Sequence, residues 1–155
     1  MRRLLGTILV VCLLTAGSTA VANAASGRVV KVLPHLLDLK GRHALTPSLY
    51  DRDAYQAYLR KRPEEVSGLR FDVKWKSDAP KGTQLKLHVE VRGEAHGKLP
   101  VQTAFDKEVD AREYSRWTSL FLTGDDYKQV GEVTAWRVTL WDGDHLLGEQ
   151  KSFLW

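Results

Sequence analysis

The sequence has a single cysteine, Cys12, which lies in the N-terminal apolar run. One cysteine cannot form an intramolecular disulfide, so the class of small domains held together by disulfides is excluded. Nor does the rest of the chain offer a thiol nucleophile. The stability of the folded domain must therefore come from a buried apolar core, and a chain of this length is large enough to build one.

The sequence also lacks a strong excess of charge of one sign. The whole chain has 23 Lys and Arg residues against 19 Asp and Glu, but two of the basic residues, Arg2 and Arg3, belong to the N-terminal segment. Without them the net charge is only about +2. Nucleic-acid binding is expected to require a clustered basic face. We therefore predict no nucleic-acid partner.

No apolar run is long enough to cross a bilayer comfortably. The longest, residues 4–16, follows Arg2 and Arg3 and decays into small residues, whereas a spanning helix needs ~20 apolar residues. A positive start, a short apolar run and the small residues Ala22 and Ala24 are typical of a Sec-type signal peptide. We predict cleavage after Ala24, with Ala22 as the second choice and an uncleaved anchor as the alternative. The protein is then periplasmic or extracellular, with no membrane span after signal cleavage.

No motif in the chain specifies a reaction. There is no G-x-S-x-G sequence, and no serine lies near a histidine in a recognisable local pattern. The histidines are not spaced to converge on a metal; they are His35, His43, His88, His96 and His145. We expect no catalytic residues, cofactor or metal, with a small hydrolase based on paired carboxylates as the remaining enzymatic alternative.

Two segments alternate strictly between apolar and charged residues. In residues 69–75 and again in residues 84–92, every second side chain is apolar and those between are mostly charged. A period of two is typical of half-buried antiparallel strands. The turn-forming residues 77–82 lie between them, so we predict that the two strands are neighbours.

The C-terminal third predicts further strands. Val101 to Phe105 is one, residues 117–123 are another and are apolar on both faces, and a loop is expected at residues 124–126. Residues 133–141 and 146–155 read as a final hairpin. A three-residue loop would place Arg137 opposite Glu149 and Leu140 opposite Leu146, which pairs opposite charges and apolar groups. Trp75 and Trp136 fall on the apolar phase and are predicted to be core.

The part that follows the signal peptide differs. Residues 28–39 are strand-like but contain Pro34, which cannot donate to a ladder and so indicates an edge or a bend. Residues 48–61 predict a helix capped by Ser48. A stripe at i, i+4, i+7 and i+8 predicts the packing face: Tyr50, Ala54, Ala57 and Tyr58.

Together these segments predict one mainly β domain over residues 25–155, an antiparallel sandwich of about seven strands with one inserted helix. The strand rhythm resembles that of immunoglobulin-like and fibronectin-type-III-like domains. The resemblance rests above all on the final pair, WRVTLWDGDHLLGEQKSFLW. A fold of this kind implies no activity by itself.

Few residues stand out as candidate binding groups. His88 and Glu90 lie two apart on one strand face and are weak candidates to hold a metal or contact a ligand, because pairing with charges on neighbouring strands is the favoured explanation. Trp141 lies on the opposite phase from Trp136, and Trp155 ends the chain; an exposed tryptophan can stack on a sugar or fill a partner's pocket. The paired aspartates at 125–126 and at 142 and 144 fit tight turns better than calcium loops.

We therefore predict an exported, non-catalytic binding or interaction module. It would engage a protein or an envelope component through a sheet edge or a loop end. The alternative is a carbohydrate-binding module that uses an exposed aromatic side chain, with a glycan as the ligand.

Overall fold

The computed structural model describes residues 25–94 and 99–155, so the predicted signal peptide lies outside the described residues. No helix in these two ranges is long and apolar enough to span a bilayer. A 3-10 turn at Pro63–Glu65 accompanies the following elements: β1 (Gly27–Asp38), α1 (Leu49–Arg60), β2 (Val66–Ser77), β3 (Gln84–Glu94), β4 (Val101–Asp110), β5 (Arg116–Thr123), α2 (Gly124–Val130), β6 (Glu132–Asp142) and β7 (His145–Lys151).

The strands form two antiparallel sheets that pack face to face. Sheet A has the order β1-β2-β5, and sheet B has the order β4-β3-β6-β7. The core between them is built from alternate residues of the central strands, chiefly Leu69, Phe71, Val73, Trp75, Leu85, Leu87, Val89 and Val91. Each such side chain, when fully buried, stabilises the fold by ~1.5–3 kcal/mol. The predicted mainly β sandwich is confirmed.

The two alternating segments are strands β2 and β3, but they are not neighbours. β2 pairs with β1 and β5 in sheet A, while β3 pairs with β4 and β6 in sheet B. The prediction that the turn joins adjacent strands was wrong. Both strands have an apolar face, and those faces meet across the core because the residue 78–83 connection crosses from one sheet to the other.

The predicted helix is confirmed as α1, with Ser48 accepting a hydrogen bond from the backbone N–H of Asp51. Its predicted packing face was wrong, because Tyr50 is 83% exposed and the buried residues are Gln56 and Leu59. The helix packs through Gln56 because β1 is an edge strand, and the outward backbone groups of an edge strand need hydrogen-bond partners. The Gln56 amide accepts from the Leu36 N–H at 2.7 Å and donates to the Leu36 carbonyl at 2.9 Å.

The final hairpin forms, but its predicted register was wrong. Asp142 pairs with His145 across a two-residue turn, and Arg137 lies opposite Lys151 instead of Glu149. Gly143 has a φ of 53°, which suits the first position of a type II′ turn and shortens the loop. An irregularity between Leu140 and Trp141 shifts the ladder. The Arg137 guanidinium still reaches Glu149 diagonally, at 2.9 Å.

Three further segments were also predicted from the sequence: the first strand, the loop at residues 124–126 and the last strand. β1 is an edge strand of sheet A, as Pro34 indicated. The loop predicted at residues 124–126 is instead the start of helix α2. The last strand ends at Lys151, and the Ser152 N–H donates to the Trp136 carbonyl at 2.9 Å.

Candidate functional site

The binding residues suggested by the sequence lie together on the outer face of sheet B. His88 Nδ1 contacts a carboxylate oxygen of Asp106 on β4, and Glu90 lies 3.6 Å from the Arg137 guanidinium on β6. The structure therefore contains the pairing with charges on neighbouring strands that the sequence suggested for these residues. It leaves neither side chain projecting as an isolated polar group.

Trp141 shares this face but is not a free aromatic surface. The side chain is half-buried, and its indole N–H donates to the Thr139 hydroxyl at 2.8 Å. Trp155 is also half-buried, with the Arg92 guanidinium 4.0 Å from its ring centroid. Both rings are therefore partly covered by the domain itself.

A concave cleft lies at one end of the sandwich. It is lined by residues of β1 and β2 from sheet A and of β6 from sheet B, and its volume is about 1050 Å³. Helix α1 closes one side and helix α2 another. Seven side chains form most of the apolar lining: Pro34, Leu36, Leu59, Leu69, Tyr127, Val133 and Trp136.

The geometry of the cleft follows from the elements around it. Pro34 lies on the inward phase of β1, opposite the buried Phe71, yet it is exposed and lines the cleft. Trp136 forms the opposite wall, with its ring edge against Phe71 at a centroid distance of 6.4 Å. The cleft therefore extends from the surface down to the side of the core.

Charged groups surround the cleft opening. Arg60 and Glu64 lie on the α1 side, and Lys128 and Glu132 lie on the α2 side. Burial, with a smaller contribution from Glu132, raises the pKa of Tyr127 above its ordinary value, so this phenol stays neutral. The cleft thus has mixed charge at its opening and apolar walls inside.

A second group of polar side chains lies on the outer face of sheet A, beneath α1. Asp72 accepts hydrogen bonds from Arg70 Nε at 2.8 Å and from the Ser119 hydroxyl at 2.6 Å. His35 Nε2 is 3.7 Å from the same carboxylate, and His43 Nδ1 is 3.3 Å from Arg70. These five residues are called the polar cluster below.

The polar cluster lacks the connectivity of a hydrolase triad. In such a triad the hydroxyl donates to an imidazole, which the carboxylate orients. Here the Ser119 hydroxyl donates directly to Asp72, with no imidazole between them. Burial lowers the pKa of both His35 and His43 below the ordinary value, and nearby arginines act in the same direction, while Asp72 opposes them without reversing the shift. Both rings are therefore neutral near pH 7.

Asp38 anchors the loop that leads from β1 to α1. Burial alone would raise its pKa, but hydrogen bonds from the Arg42 backbone, the Tyr55 hydroxyl and the Arg42 guanidinium outweigh it. The pKa of Asp38 falls to about 2. The carboxylate is thus ionised over the physiological range and has a structural role.

The sequence reasoning missed two exposed aromatic residues on β5. Trp117 and Phe121 each expose 51% of their surface on the outer face of sheet A. The signal was present, because residues 117–123 are apolar on both phases, and only one phase can face the core.

The described residues contain no group of three or more His, Cys, Asp or Glu side chains placed to hold a metal ion.

Comparison of this chain with protein-family models, with curated proteins and with solved structures finds no match.

Proposed function

We propose that the domain is an exported, non-catalytic binding module and that it holds a small apolar molecule in the cleft. The observation that carries this proposal is the cleft itself, with a volume of about 1050 Å³ and walls drawn from both sheets and both helices. Small-molecule sites in proteins are concave, mostly apolar and largely preformed. Export is proposed on the N-terminal sequence alone.

The chemistry of the lining supports binding over catalysis. Enzyme sites bring acids, bases and nucleophiles with altered pKa values together in one pocket. In this cleft the charged groups lie at the opening, and the buried polar group, the Gln56 amide, is occupied by the Leu36 backbone and by the His43 carbonyl. An apolar ligand needs no further polar group.

We also infer that the domain belongs to the immunoglobulin-like class. If its strands are lettered A, B, C, C′, E, F and G in chain order, sheet A reads A-B-E and sheet B reads C′-C-F-G. Immunoglobulin-like sandwiches divide their strands in this way, with crossings between the sheets. The buried tryptophan differs in position, since Trp75 lies on strand B and not on strand C.

Blocking the cleft tests the proposed function. Val133 lines the cleft and is only partly buried, so Val133→Phe adds volume inside it. The purified protein is titrated with 1-N-phenylnaphthylamine, a neutral apolar dye that fluoresces in dry surroundings. We expect saturable binding of one dye per chain, and at least tenfold weaker binding for Val133→Phe, which corresponds to about 1.4 kcal/mol.

Val30→Phe is the matched control, because Val30 is 38% exposed on β1 and does not line the cleft. It makes the same chemical change and should leave dye binding unaltered. Thermal unfolding of both variants checks that they fold. Equal dye binding by all three proteins, or an absence of saturable binding, would contradict the proposal.

A further inference from the structure

The outer face of sheet A carries facing pairs of like charges. Arg28 on β1 lies directly opposite Lys76 on β2, and Lys31 lies opposite Lys74. Residues directly opposite each other in an antiparallel pair project on the same face, where like charges destabilise the sheet. Lys74 and Lys76 are two residues apart on one strand, so all four cations share this surface.

Two acids of the described residues flank this surface, Asp72 on one side and Asp78 on the other. None of the four side chains takes part in an ion pair within the described residues. Asp72 is bonded to Arg70 and Ser119, and the Asp78 carboxylate accepts hydrogen bonds from the Ser26 N–H and hydroxyl. The chain is nearly neutral overall, but folding brings four positive charges together on this surface.

An exposed tryptophan adjoins these cations. Trp117 lies opposite Lys74 across the β2–β5 pair, and the Lys74 ammonium is 5.9 Å from the centre of its ring. Adjacent strands lie ~4.8 Å apart and same-face residues on one strand ~6.8 Å apart, so the four cations form a compact grid beside the ring. Arg28, Lys31, Lys74, Lys76 and Trp117 are called the cationic face below.

The cationic face combines two kinds of recognition. Ammonium and guanidinium groups pair with carboxylates or sulfates, and a half-exposed indole offers a flat apolar surface on which a sugar ring can stack. Phe121, two rows further along β5, is equally exposed and extends the aromatic surface. A partner that carries both negative charges and sugar rings would use all of these groups.

We propose that the cationic face binds an anionic polysaccharide. The acidic groups of the polysaccharide pair with the four cations and relieve their mutual repulsion, while one of its sugar rings packs on Trp117. This site lies on the outer face of sheet A, away from the cleft, so the proposal does not depend on the ligand of the cleft. Charge complementarity sets the ligand class, and the aromatic ring distinguishes a polysaccharide from a generic anionic surface.

Titration calorimetry at 50 and 300 mM NaCl tests the proposal, with polygalacturonate and heparin as carboxylated and sulfated probes and dextran as the uncharged one. We expect both polyanions to bind and dextran not to bind, with affinity lower at 300 mM because salt screens the charges. The double variant Lys31→Gln/Lys74→Gln should bind at least tenfold more weakly. Its melting temperature should not fall, since one repulsive pair is removed.

Lys81→Gln/Lys151→Gln is the matched control, since it removes the same charge from exposed lysines outside the cationic face. It should bind as the wild type does. Trp117→Ala should weaken both polysaccharides at least threefold without changing the salt dependence.

Vesicles of phosphatidylglycerol and phosphatidylcholine in equal parts test whether the cationic face binds an anionic membrane instead. Three outcomes would overturn the proposal. The polyanions do not bind, or the two double variants bind them equally well. In the third, Trp117→Ala leaves polysaccharide binding unchanged while the vesicles bind more tightly than either polysaccharide.

Discussion

At the scale of single residues, the polar cluster makes the fold sensitive to acid. His35 is 7% exposed and faces a carboxylate, Asp72, but also Arg52, Arg70 and His43. Burial is the main reason that its pKa lies below the ordinary value of 6.5; Asp72 raises the pKa, and Arg52 and Arg70 lower it. Protonation would put a further positive charge into a confined space that already holds two arginines.

We therefore expect the free energy of unfolding to decrease as the pH falls. A histidine whose pKa is lower in the folded state binds its proton preferentially in the unfolded chain. Stability is then complete above about pH 6.5 and is lost progressively below it. Urea unfolding at pH 7.5, 6.0 and 5.0 measures the effect, and His35→Gln should reduce the loss.

His145→Gln is the control for this experiment, because His145 is exposed at the start of β7. It should show the same loss of stability on acidification as the wild type. His43 also has a lowered pKa, so some dependence will remain in His35→Gln. An identical pH profile for His35→Gln and the wild type would refute the role given to His35.

At the scale of elements, α1 illustrates how a helix can be predicted correctly and placed wrongly. Its ends follow from the Ser48 cap and from Pro63, which lies beyond the C-terminus. Its packing face could not be read from hydrophobicity, because the side chain most needed against β1 is an amide. A glutamine among apolar residues does not reveal in the sequence which backbone groups it will bind.

Truncation of the two faces of α1 should give opposite results. Leu59 is completely buried, so Leu59→Ala should reduce the free energy of unfolding by ~2–4 kcal/mol through lost burial and a cavity. Tyr50→Ala, on the face favoured by the sequence, should change it by less than ~0.5 kcal/mol because that side chain is 83% exposed. Urea denaturation measures both, and equal losses would mean that the helix packs through its tyrosines.

The strands were easier to predict than their partners. Strict alternation in residues 69–75 fixes both the strand and the side that faces the core, because the side-chain period is two. The alternation does not reveal which sheet the strand joins. Two strands that each have one apolar face can lie side by side in one sheet or face each other across the core. The hairpin register failed for a local reason, namely the backbone conformation at Gly143.

At the scale of the whole molecule, the two sheets approach most closely where β1 passes β7. A Cβ atom added at Gly148 would lie 2.8 Å from the Arg28 Cα and 3.0 Å from the Gly27 carbonyl oxygen. Backbone atoms cannot yield as a side-chain end can. Gly148 is therefore required for this contact between the first and last strands.

Gly148→Ala should force β7 away from β1 and lower the free energy of unfolding by ~1–3 kcal/mol, the usual cost of excess volume in a packed region. His145→Ala, an exposed position on the same strand, should change stability by less than ~0.5 kcal/mol. Urea denaturation of the two variants makes the comparison. Equal stabilities would show that β1 and β7 separate without cost.

The cleft and the cationic face were not predictable from the sequence, for a common physical reason. Each is assembled from residues that are far apart in the chain, such as Leu36 with Trp136, or Lys31 with Lys74. Composition reports only the sum of the charges, and periodicity reports only one strand at a time. The pairing of strands decides which side chains become neighbours, and that pairing is a property of the folded molecule.

The contact between β1 and β7 also joins two segments that are far apart in the order of synthesis. Synthesis proceeds from the N-terminus, so β1 leaves the ribosome before the other strands of the domain, whereas its neighbour in the opposite layer, β7, leaves it after them. Until then one margin of the nascent domain stays open to other chains, and pairings between distant segments form slowly. Protection of that margin by a chaperone would matter most during this interval.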